Sequence, residues 1–313
     1  MSRVIAPLAK MGADVYGRGG VYAPMAVRGQ KLHGIEYELP VPSAQVKSAL
    51  LLAGALAHRG QTLVHEPLAT RDHTENMFGA FGVELTRQLR PDGGHTLAIQ
   101  SGQKFACTTV KVPGDFSSAA FLLAAAAVVP ESELIVTGVG INATRTGLLT
   151  ALRDMGADLD TSNVRLESGE KVADVSIRHR PLRGIALAKN LVPLMIDELP
   201  VFAVIAAMAK GTTLVEGAGE LRVKETDRIS AIVTGLQRLG VDIEERSDGF
   251  VIQGGRSFTG GEVESFGDHR IAMSLAVAGV AASHAVTIHG WEAVDISFPG
   301  FADALKLAVQ PKE

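Results

Sequence analysis

Two kinds of apolar segment alternate along the chain. In the first kind, an amphipathic helix-like stretch is followed by Gly, a small apolar residue and an acid, as in "LAKMGADV", "FGAFGVEL", "LRDMGADL" and "LQRLGVDI". In the second kind, a polar signature precedes an Ala-rich apolar stretch and then a strand-like run; these segments start near Ser43, Asp115, Asp197 and Asp268. Both series recur after about 70–80 residues, which indicates a repeated β/α unit.

The polarity of each segment predicts its place in the fold. The Gly in each segment of the first kind predicts a left-handed helix C-cap followed by a strand: Gly12, Gly82, Gly156 and Gly240. The Ala-rich helices are apolar on nearly all sides, so we expect them to be buried, whereas the Gly-capped helices carry polar residues on one face and should cover the outside. Each unit is then a small sheet with an inner and an outer helix, and the fold class is α/β.

The same spacing predicts where units and domains begin. Arg71 lies eleven residues before Gly82 and Arg145 eleven before Gly156, but the residue eleven before Gly12 is Met1, with no strand ahead of the first helix. We therefore expect the chain to start inside a unit. The predicted domains are 1–113, an incomplete first domain, and 114–313, a second domain of the same units.

Composition narrows the class of protein. The 313 residues are 46% hydrophobic with a net charge of −4 and no block of Lys and Arg, which favours a globular protein with two cores and disfavours a nucleic-acid binder. Cys107 is the single cysteine, which excludes an internal disulfide, and we predict it to be a small core residue. The longest apolar run, 119–129, is too short to cross a membrane, so we expect a cytoplasmic protein.

Groups suited to anion binding gather at the predicted starts of the inner helices. "PSAQ" contains Ser43 and Gln45, "DELP" contains Asp197, and "GDHR" contains Asp268, His269 and Arg270. A helix N-terminus offers unpaired N–H groups and a positive dipole end, which suit phosphate or carboxylate. Each group also has a structural interpretation: Ser43 and Asp197 as ordinary N-caps, and His269 as a polar residue with its hydrogen bonds satisfied.

Charged residues also gather at the predicted starts of the outer helices: Arg71 in "RDHTEN", Arg145 in "NATRTG", and Lys224, Glu225 and Arg228 in "KETDR". On a helix, Lys224 and Arg228 would share a face and repel by roughly 0.2–0.5 kcal/mol. A solvated helix face is one interpretation. The repeat favours another, in which both series meet in a cleft for a multiply anionic ligand and Asp197 or Glu225 moves protons.

The sequence lacks the motifs of common nucleotide, hydrolase and metal sites. The sequence contains no Walker loop, no GxGxxG dinucleotide turn and no GxSxG elbow. It has neither an HExxH pair nor a Cys cluster, so we predict no metal site.

Seven motifs in order resemble the enolpyruvyl transferases, in the branch that acts on shikimate 3-phosphate: "PSAQVKSALLLA", "RDHTE", "VPGDFSSAAFLLAAA", "DELPVFAVIAA", "LRVKETDRI", "FGDHRIAMSLAVAG" and "SFPGF". The resemblance implies a two-domain inside-out α/β barrel built from repeated βαβαββ units, with the first domain incomplete here. It implies transfer of the carboxyvinyl group of phosphoenolpyruvate to the 5-hydroxyl of shikimate 3-phosphate, with release of phosphate. It implies no metal or organic cofactor.

The resemblance also implies roles for particular residues. Shikimate 3-phosphate would be held by Ser43, with Ala44 beside it, and by Arg71 and Lys224. Phosphoenolpyruvate would be held by Gln45, Arg228 and Arg270, with His269 beside them. Asp197 would take the proton of the 5-hydroxyl, and Glu225 would exchange a proton at the methylene carbon. Lys224 is counted with Asp197 and Glu225 as catalytic.

The chain departs from the family pattern at its start. Family members are longer there and carry a Lys-Ser pair and arginines that would contact the substrates. Three hypotheses follow: a truncated synthase aided by a complementing N-terminal fragment, an inactive remnant that only binds shikimate 3-phosphate or a partner fragment, and a member of the UDP-N-acetylglucosamine branch, which "RDHTE" and "KETDR" disfavour. An unpaired sheet edge in the first domain would also favour self-association.

Overall fold

The computed structural model describes residues 1–309. The chain forms two compact units. Unit 1 contains Met1–Val112 together with Leu166–Glu170, and unit 2 contains Pro113–Arg165 and the chain from Lys171 onward. Each unit has its own hydrophobic core, so each is described separately.

The described residues contain nine α-helices and three short 3-10 helices. The α-helices are α1 Ser2–Lys10, α2 Ala44–Ala55, α3 His73–Ala80, α4 Phe116–Val128, α5 Gly147–Asp154, α6 Leu199–Met208, α7 Arg228–Arg238, α8 His269–Val280 and α9 Phe301–Ala308. Short 3-10 helices cover Val192–Met195, Gly219–Val223 and Trp291–Ile296.

The strands follow the helices in a regular order. They are β1 Asp14–Arg18, β2 Tyr22–Arg28, β3 Glu36–Glu38, β4 Gln61–Glu66, β5 Leu85–Leu89, β6 His95–Gln100, β7 Glu133–Gly140, β8 Asp158–Glu167, β9 Glu170–Arg178, β10 Gly211–Val215, β11 Asp242–Arg246, β12 Gly249–Gly254, β13 Gly261–Glu264 and β14 Val286–His289.

The sheets confirm the predicted repeat. In unit 1 the strand order is β3-β4-β6-β5, with β3 parallel to β4 and the other pairs antiparallel. Along the chain this is β3-α2-β4-α3-β5-β6, a βαβαββ unit. Unit 2 repeats the pattern in sheets β7-β9-β8 and β10-β12-β11, each joined by a parallel bridge, Gly114 to Val139 and Ala186 to Leu214, where the first strand of the unit would lie.

The helices divide into inner and outer types as predicted. Every residue of α6 from Leu199 to Ala207 is buried, and α4 is buried except at Ser118 and Leu122, because both helices are apolar on all sides. The outer helices bury one face only, and each ends at one of the four predicted glycines, whose φ angles lie between +71° and +94°. This left-handed conformation favours glycine because a Cβ would meet the backbone.

Two features of unit 1 relate to the predicted self-association and to the predicted position of Cys107. The hairpin β1–β2 forms a two-stranded sheet in which Tyr22 and Val27 are exposed. Cys107 is also exposed, so its predicted core position is wrong. It lies in the segment 103–113, which forms no helix or strand and therefore offers no packed face for a small apolar side chain.

Candidate functional site

The first predicted site residues lie at the start of α2 in unit 1. Ser43 is the N-cap, as predicted, and its Oγ accepts a hydrogen bond from the backbone N–H of Val46 at 3.4 Å. Ala44 and Gln45 are the first helical residues, and the exposed Gln45 accepts a bond from the Arg3 guanidinium at 3.4 Å through Oε1. A buried hydroxyl, an amide and the dipole end of α2 therefore lie together, which suits an anion.

Arg71 lies next to this helix in the same unit. It is half-buried in the segment 67–72, between β4 and α3. Lys47, one turn along α2 from Ser43, places its Nζ 3.5 Å from the carbonyl oxygen of Thr70, the residue before Arg71. Unit 1 thus brings the α2 N-terminus and the Arg71 segment together, as the repeat predicted.

Unit 2 contains a cluster around a buried guanidinium, which we call the Arg228 cluster: Asp197, Glu225, Arg228, Asp268 and Arg270. Arg228 is the first residue of α7 and is only 1% exposed. Its Nε donates to Asp268 at 2.8 Å, its Nη1 to Asp197 at 3.3 Å and its Nη2 to Glu225 at 2.6 Å. The planar fork of an arginine allows one cation to bind three carboxylates from three segments.

Asp197 lies between two guanidinium groups. Besides the bond from Arg228, its carboxylate lies 3.9 Å from Nη2 of Arg270, and its backbone carbonyl accepts from Nη1 of Arg270 at 3.4 Å. The prediction that Asp197 caps a helix is wrong, because Glu198 is the N-cap residue of α6 and makes no capping bond with its side chain. Asp197 is held by charges from α7 and α8 instead, a suitable arrangement for a carboxylate that works beside an anion.

The charged side chains of the "KETDR" segment form more ion pairs than the sequence predicted. A 3-10 helix ends at Val223 and α7 begins at Arg228, so Lys224 and Arg228 do not share a helix face and the predicted repulsion is wrong. Lys224 donates to Glu220. Glu225 is 53% exposed and bonds to Arg228, so it is the part of the Arg228 cluster that solvent or a ligand reaches most easily.

The start of α8 brings Asp268, His269 and Arg270 to the same cluster. Asp268 is a buried N-cap that accepts from the N–H groups of Arg270 and Ile271, as the "GDHR" motif predicted. Burial, reinforced by the neighbouring charge of Arg270, lowers the pKa of His269 below its usual value. The imidazole is therefore neutral at pH 7 and adds no charge there.

One network in unit 2 contains residues to which the resemblance assigns no role. The Nη2 of Arg145 donates to the hydroxyl of Ser117 at 2.6 Å, and that hydroxyl donates to the buried carboxyl group of Glu198. Burial raises the pKa of Glu198, although the bond from Ser117 and the charge of Arg270 oppose this effect. The repeat identified Arg145 as the counterpart of Arg71. Nothing in the sequence indicated that Glu198, rather than the adjacent Asp197, joins this network.

Residues 1–309 contain no arrangement that fits a metal site or a membrane-spanning helix. No group of three or more His, Cys, Asp or Glu residues in this range is arranged to hold a metal ion. In the same range, no helix combines the length and apolar character needed to span a bilayer.

Comparison with known proteins decides the family. The profile of EPSP synthase (3-phosphoshikimate 1-carboxyvinyltransferase) matches residues 1–305. The chain belongs to the EPSP synthase family. It is 49% identical over 312 residues to the 3-phosphoshikimate 1-carboxyvinyltransferase of Synechococcus sp. (strain JA-3-3Ab), covering 99% of this chain and 69% of that protein. It is also 49% identical to the enzyme of the same name from Citrifermentans bemidjiense, covering 99% of this chain and 71% of that one.

Solved structures of the family support the fold. The EPSP synthase of Acinetobacter baumannii matches with a TM-score of 0.90 and 44% identity, covering 98% of this chain and 70% of that chain. A second structure of EPSP synthase from A. baumannii gives a TM-score of 0.88. The predicted α/β fold class of this family is therefore confirmed, and the resemblance to the shikimate branch, rather than to the UDP-N-acetylglucosamine branch, is confirmed with it.

Proposed function

We propose that the chain is a transferase that moves the enolpyruvyl group of phosphoenolpyruvate to the 5-hydroxyl of shikimate 3-phosphate and releases phosphate, a step of aromatic amino-acid biosynthesis. Family membership over residues 1–305 supports this reaction. The observation that carries it at the level of chemistry is the Arg228 cluster, where Asp197 lies beside two guanidinium groups. A general base next to two anion-binding cations is what addition of an alcohol to an anionic enol requires.

Each substrate has its own proposed set of binding residues. Shikimate 3-phosphate is proposed to bind to Ser43, with Ala44 beside it, to Arg71 and to Lys224. The carboxylate and phosphate of phosphoenolpyruvate are proposed to bind to Gln45, Arg228 and Arg270. Neutral His269 lies beside them and can donate or accept a hydrogen bond without opposing their charge.

The proton transfers are assigned to two of the three acids of the Arg228 cluster, Asp197 and Glu225. Asp197 accepts the proton of the 5-hydroxyl group while the hydroxyl oxygen bonds to the central carbon of the enol. Glu225 delivers a proton to the methylene carbon, and the product of this step is a tetrahedral intermediate. In the second step the new methyl group returns a proton to Glu225, the bond from carbon to phosphate oxygen breaks, and the departing phosphate takes the proton from Asp197, so both carboxylates are restored. Glu225 can leave Arg228 for this work because it is half-exposed, whereas Asp268 is fully buried.

The proposal is tested by titrating shikimate 3-phosphate in a calorimeter and then measuring phosphate release when phosphoenolpyruvate is added. Asp197→Asn should lower kcat by about 10²- to 10⁴-fold, the usual contribution of a general base, and leave the affinity for shikimate 3-phosphate within about threefold. Asp242, exposed on β11, provides the matched control: Asp242→Asn should behave like the unaltered chain.

Two results would contradict the proposal. Unchanged turnover in Asp197→Asn would remove this carboxylate from the reaction. Binding of shikimate 3-phosphate without phosphate release by the unaltered chain would favour the hypothesis of a protein that only binds.

Three expectations from the sequence stay part of this proposal. They are the domain ranges 1–113 and 114–313, a cytoplasmic location, and association with a second copy or with a complementing N-terminal fragment. Two large apolar side chains exposed on β2, Tyr22 and Val27, support the last of these, because apolar surface on a two-stranded sheet favours pairing.

A further inference from the structure

A lysine with no role in the proposed reaction is completely buried in unit 1. Lys47 is 0% exposed, and its Nζ lies 3.1 Å from Oε2 of Glu66 and 2.7 Å from Oε1 of Glu75. Lysine is almost never fully buried unless it is paired, because removing the ammonium from water is costly. We call Lys47, Glu66, Thr70 and Glu75 the Lys47 cluster.

The Lys47 cluster joins three elements of one βαβαββ unit. Lys47 is on α2, Glu66 is the last residue of β4 and Glu75 is in the first turn of α3. Burial raises the pKa of Glu75, and the charge of Lys47 opposes that rise. The ammonium thus offsets part of the unfavourable burial of acids from two other elements, and it fixes the ends of those elements against α2.

Thr70 is attached to this cluster by both its backbone and its side chain. Its N–H donates to Oε2 of Glu66 at 3.2 Å, its hydroxyl donates to the same oxygen at 2.9 Å, and its carbonyl accepts from Lys47 at 3.5 Å. Thr70 lies within the segment 67–72, which has no helix or strand of its own, and the neighbouring Leu68 and Ala69 are exposed. The bonds of Thr70 therefore order a segment that regular secondary structure does not hold.

The residue that follows Thr70 is Arg71, which the proposed function assigns to the phosphorylated substrate. We propose that the Lys47 cluster fixes the backbone of Thr70 and thereby aims Arg71, so that Thr70 is a positioning residue for shikimate 3-phosphate. This inference rests on the proposed function for the identity of the ligand. A small displacement of a binding group weakens charge-assisted contacts strongly, because their strength depends on distance and alignment.

The test compares Thr70→Val, which keeps the shape and removes the hydroxyl, with Thr70→Ser, which restores the hydroxyl. Thr70→Val should raise the KM for shikimate 3-phosphate by about tenfold, the usual effect of one lost hydrogen bond to a charged group. The KM for phosphoenolpyruvate and kcat should stay within about twofold, since Arg228 and Arg270 belong to unit 2. Thr70→Ser should stay within about twofold of the unaltered chain in every constant.

A purely structural role for Thr70 gives a different result. It predicts that Thr70→Val lowers the melting temperature and weakens both substrates equally, or that it changes neither KM. Either result would overturn the inference.

A second measurement separates this inference from the proposed function. Without any substrate, hydrogen exchange of the amides in segment 67–72 should be about tenfold faster in Thr70→Val than in Thr70→Ser. If the unaltered chain does not bind shikimate 3-phosphate, the proposed function fails, and the exchange rates alone decide whether Thr70 orders the Arg71 segment. Equal rates in the two variants would show that it does not.

Discussion

Lys47 in unit 1 and Arg228 in unit 2 are both buried cations that contact several carboxylates, but their surroundings differ. Of the acids around Lys47, Glu66 is completely buried and Glu75 is 10% exposed. Arg228 contacts two acids of low exposure and a third, Glu225, that is 53% exposed. The ion pairs of Lys47 are therefore largely shielded from solvent, whereas the Arg228 cluster is open on one side.

This difference agrees with the positioning role proposed for the Lys47 cluster and the binding role proposed for Arg228. A lysine presents a compact charge, so Lys47 can hold the ends of elements together without presenting a face to a ligand. An arginine presents a flat fork, and the part of Arg228 that faces Glu225 can exchange a carboxylate for a substrate anion. Three substitutions test this contrast, and their expected effects on stability differ in size.

Removing the charge of Arg228 should have the largest effect. Arg228→Met should lower the free energy of unfolding by about 3–5 kcal/mol, because it leaves the completely buried carboxylate of Asp268 without its partner. Urea unfolding followed by circular dichroism measures this loss. Arg228→Lys keeps the charge but not the fork, so it should recover part of the stability and little of the turnover. A loss below about 1 kcal/mol in Arg228→Met would show that the cluster is more solvated than its geometry indicates.

Glu75→Gln should have a smaller effect that depends on pH. The folded-state pKa of Glu75 is raised by burial, so in the unaltered chain this group destabilises the fold progressively as pH rises from about 4.5 through the folded value, and fully above it. The variant lacks this term, so its free energy of unfolding relative to the unaltered chain should increase between pH 4 and pH 8. Urea titrations at several pH values measure the trend, and Glu84→Gln, at an exposed position in unit 1, is the control. A difference that falls with pH would contradict the assignment.

Glu225→Gln should change stability least. Its pair with Arg228 is half-exposed, and such pairs contribute about 0–1 kcal/mol. Turnover should nevertheless fall by about 10²-fold or more if Glu225 exchanges a proton with the methylene carbon, because glutamine cannot carry that proton. Phosphate release and urea unfolding on the same preparation separate the two effects. Normal turnover with normal stability would assign the proton transfer to another group.

Local patterns predicted the elements well and their ends less well. The apolar surface of α4 and α6 marked them as inner helices, and four glycines marked the ends of outer helices. The start of α6 was misplaced by one residue, so Asp197 was taken for a cap that the backbone places at Glu198. Caps are decided by the last turn of hydrogen bonds, which sequence patterns locate only approximately.

The predicted site residues also show what the sequence could not predict. "KETDR" identified the charges at the start of α7, but the face that Lys224 and Arg228 were expected to share does not exist, because Lys224 is an extended residue after a 3-10 helix and α7 begins only at Arg228. Arg228 bonds to acids 31 and 40 residues away in the chain, and no local pattern could select these partners from the other acids.

Patterns among neighbouring residues were enough to predict the alternation of inner and outer helices, the βαβαββ order and the family, because polarity period, glycine caps and motif order are local properties. Which charges are buried, and which partners they have, depends on the folded structure. Lys47 looks like an ordinary lysine in an Ala- and Leu-rich helix until β4 and α3 bring Glu66 and Glu75 to it. The free energy of a charge depends on the water it loses and on the opposite charges that replace that water, and in this protein those come from distant segments of the chain.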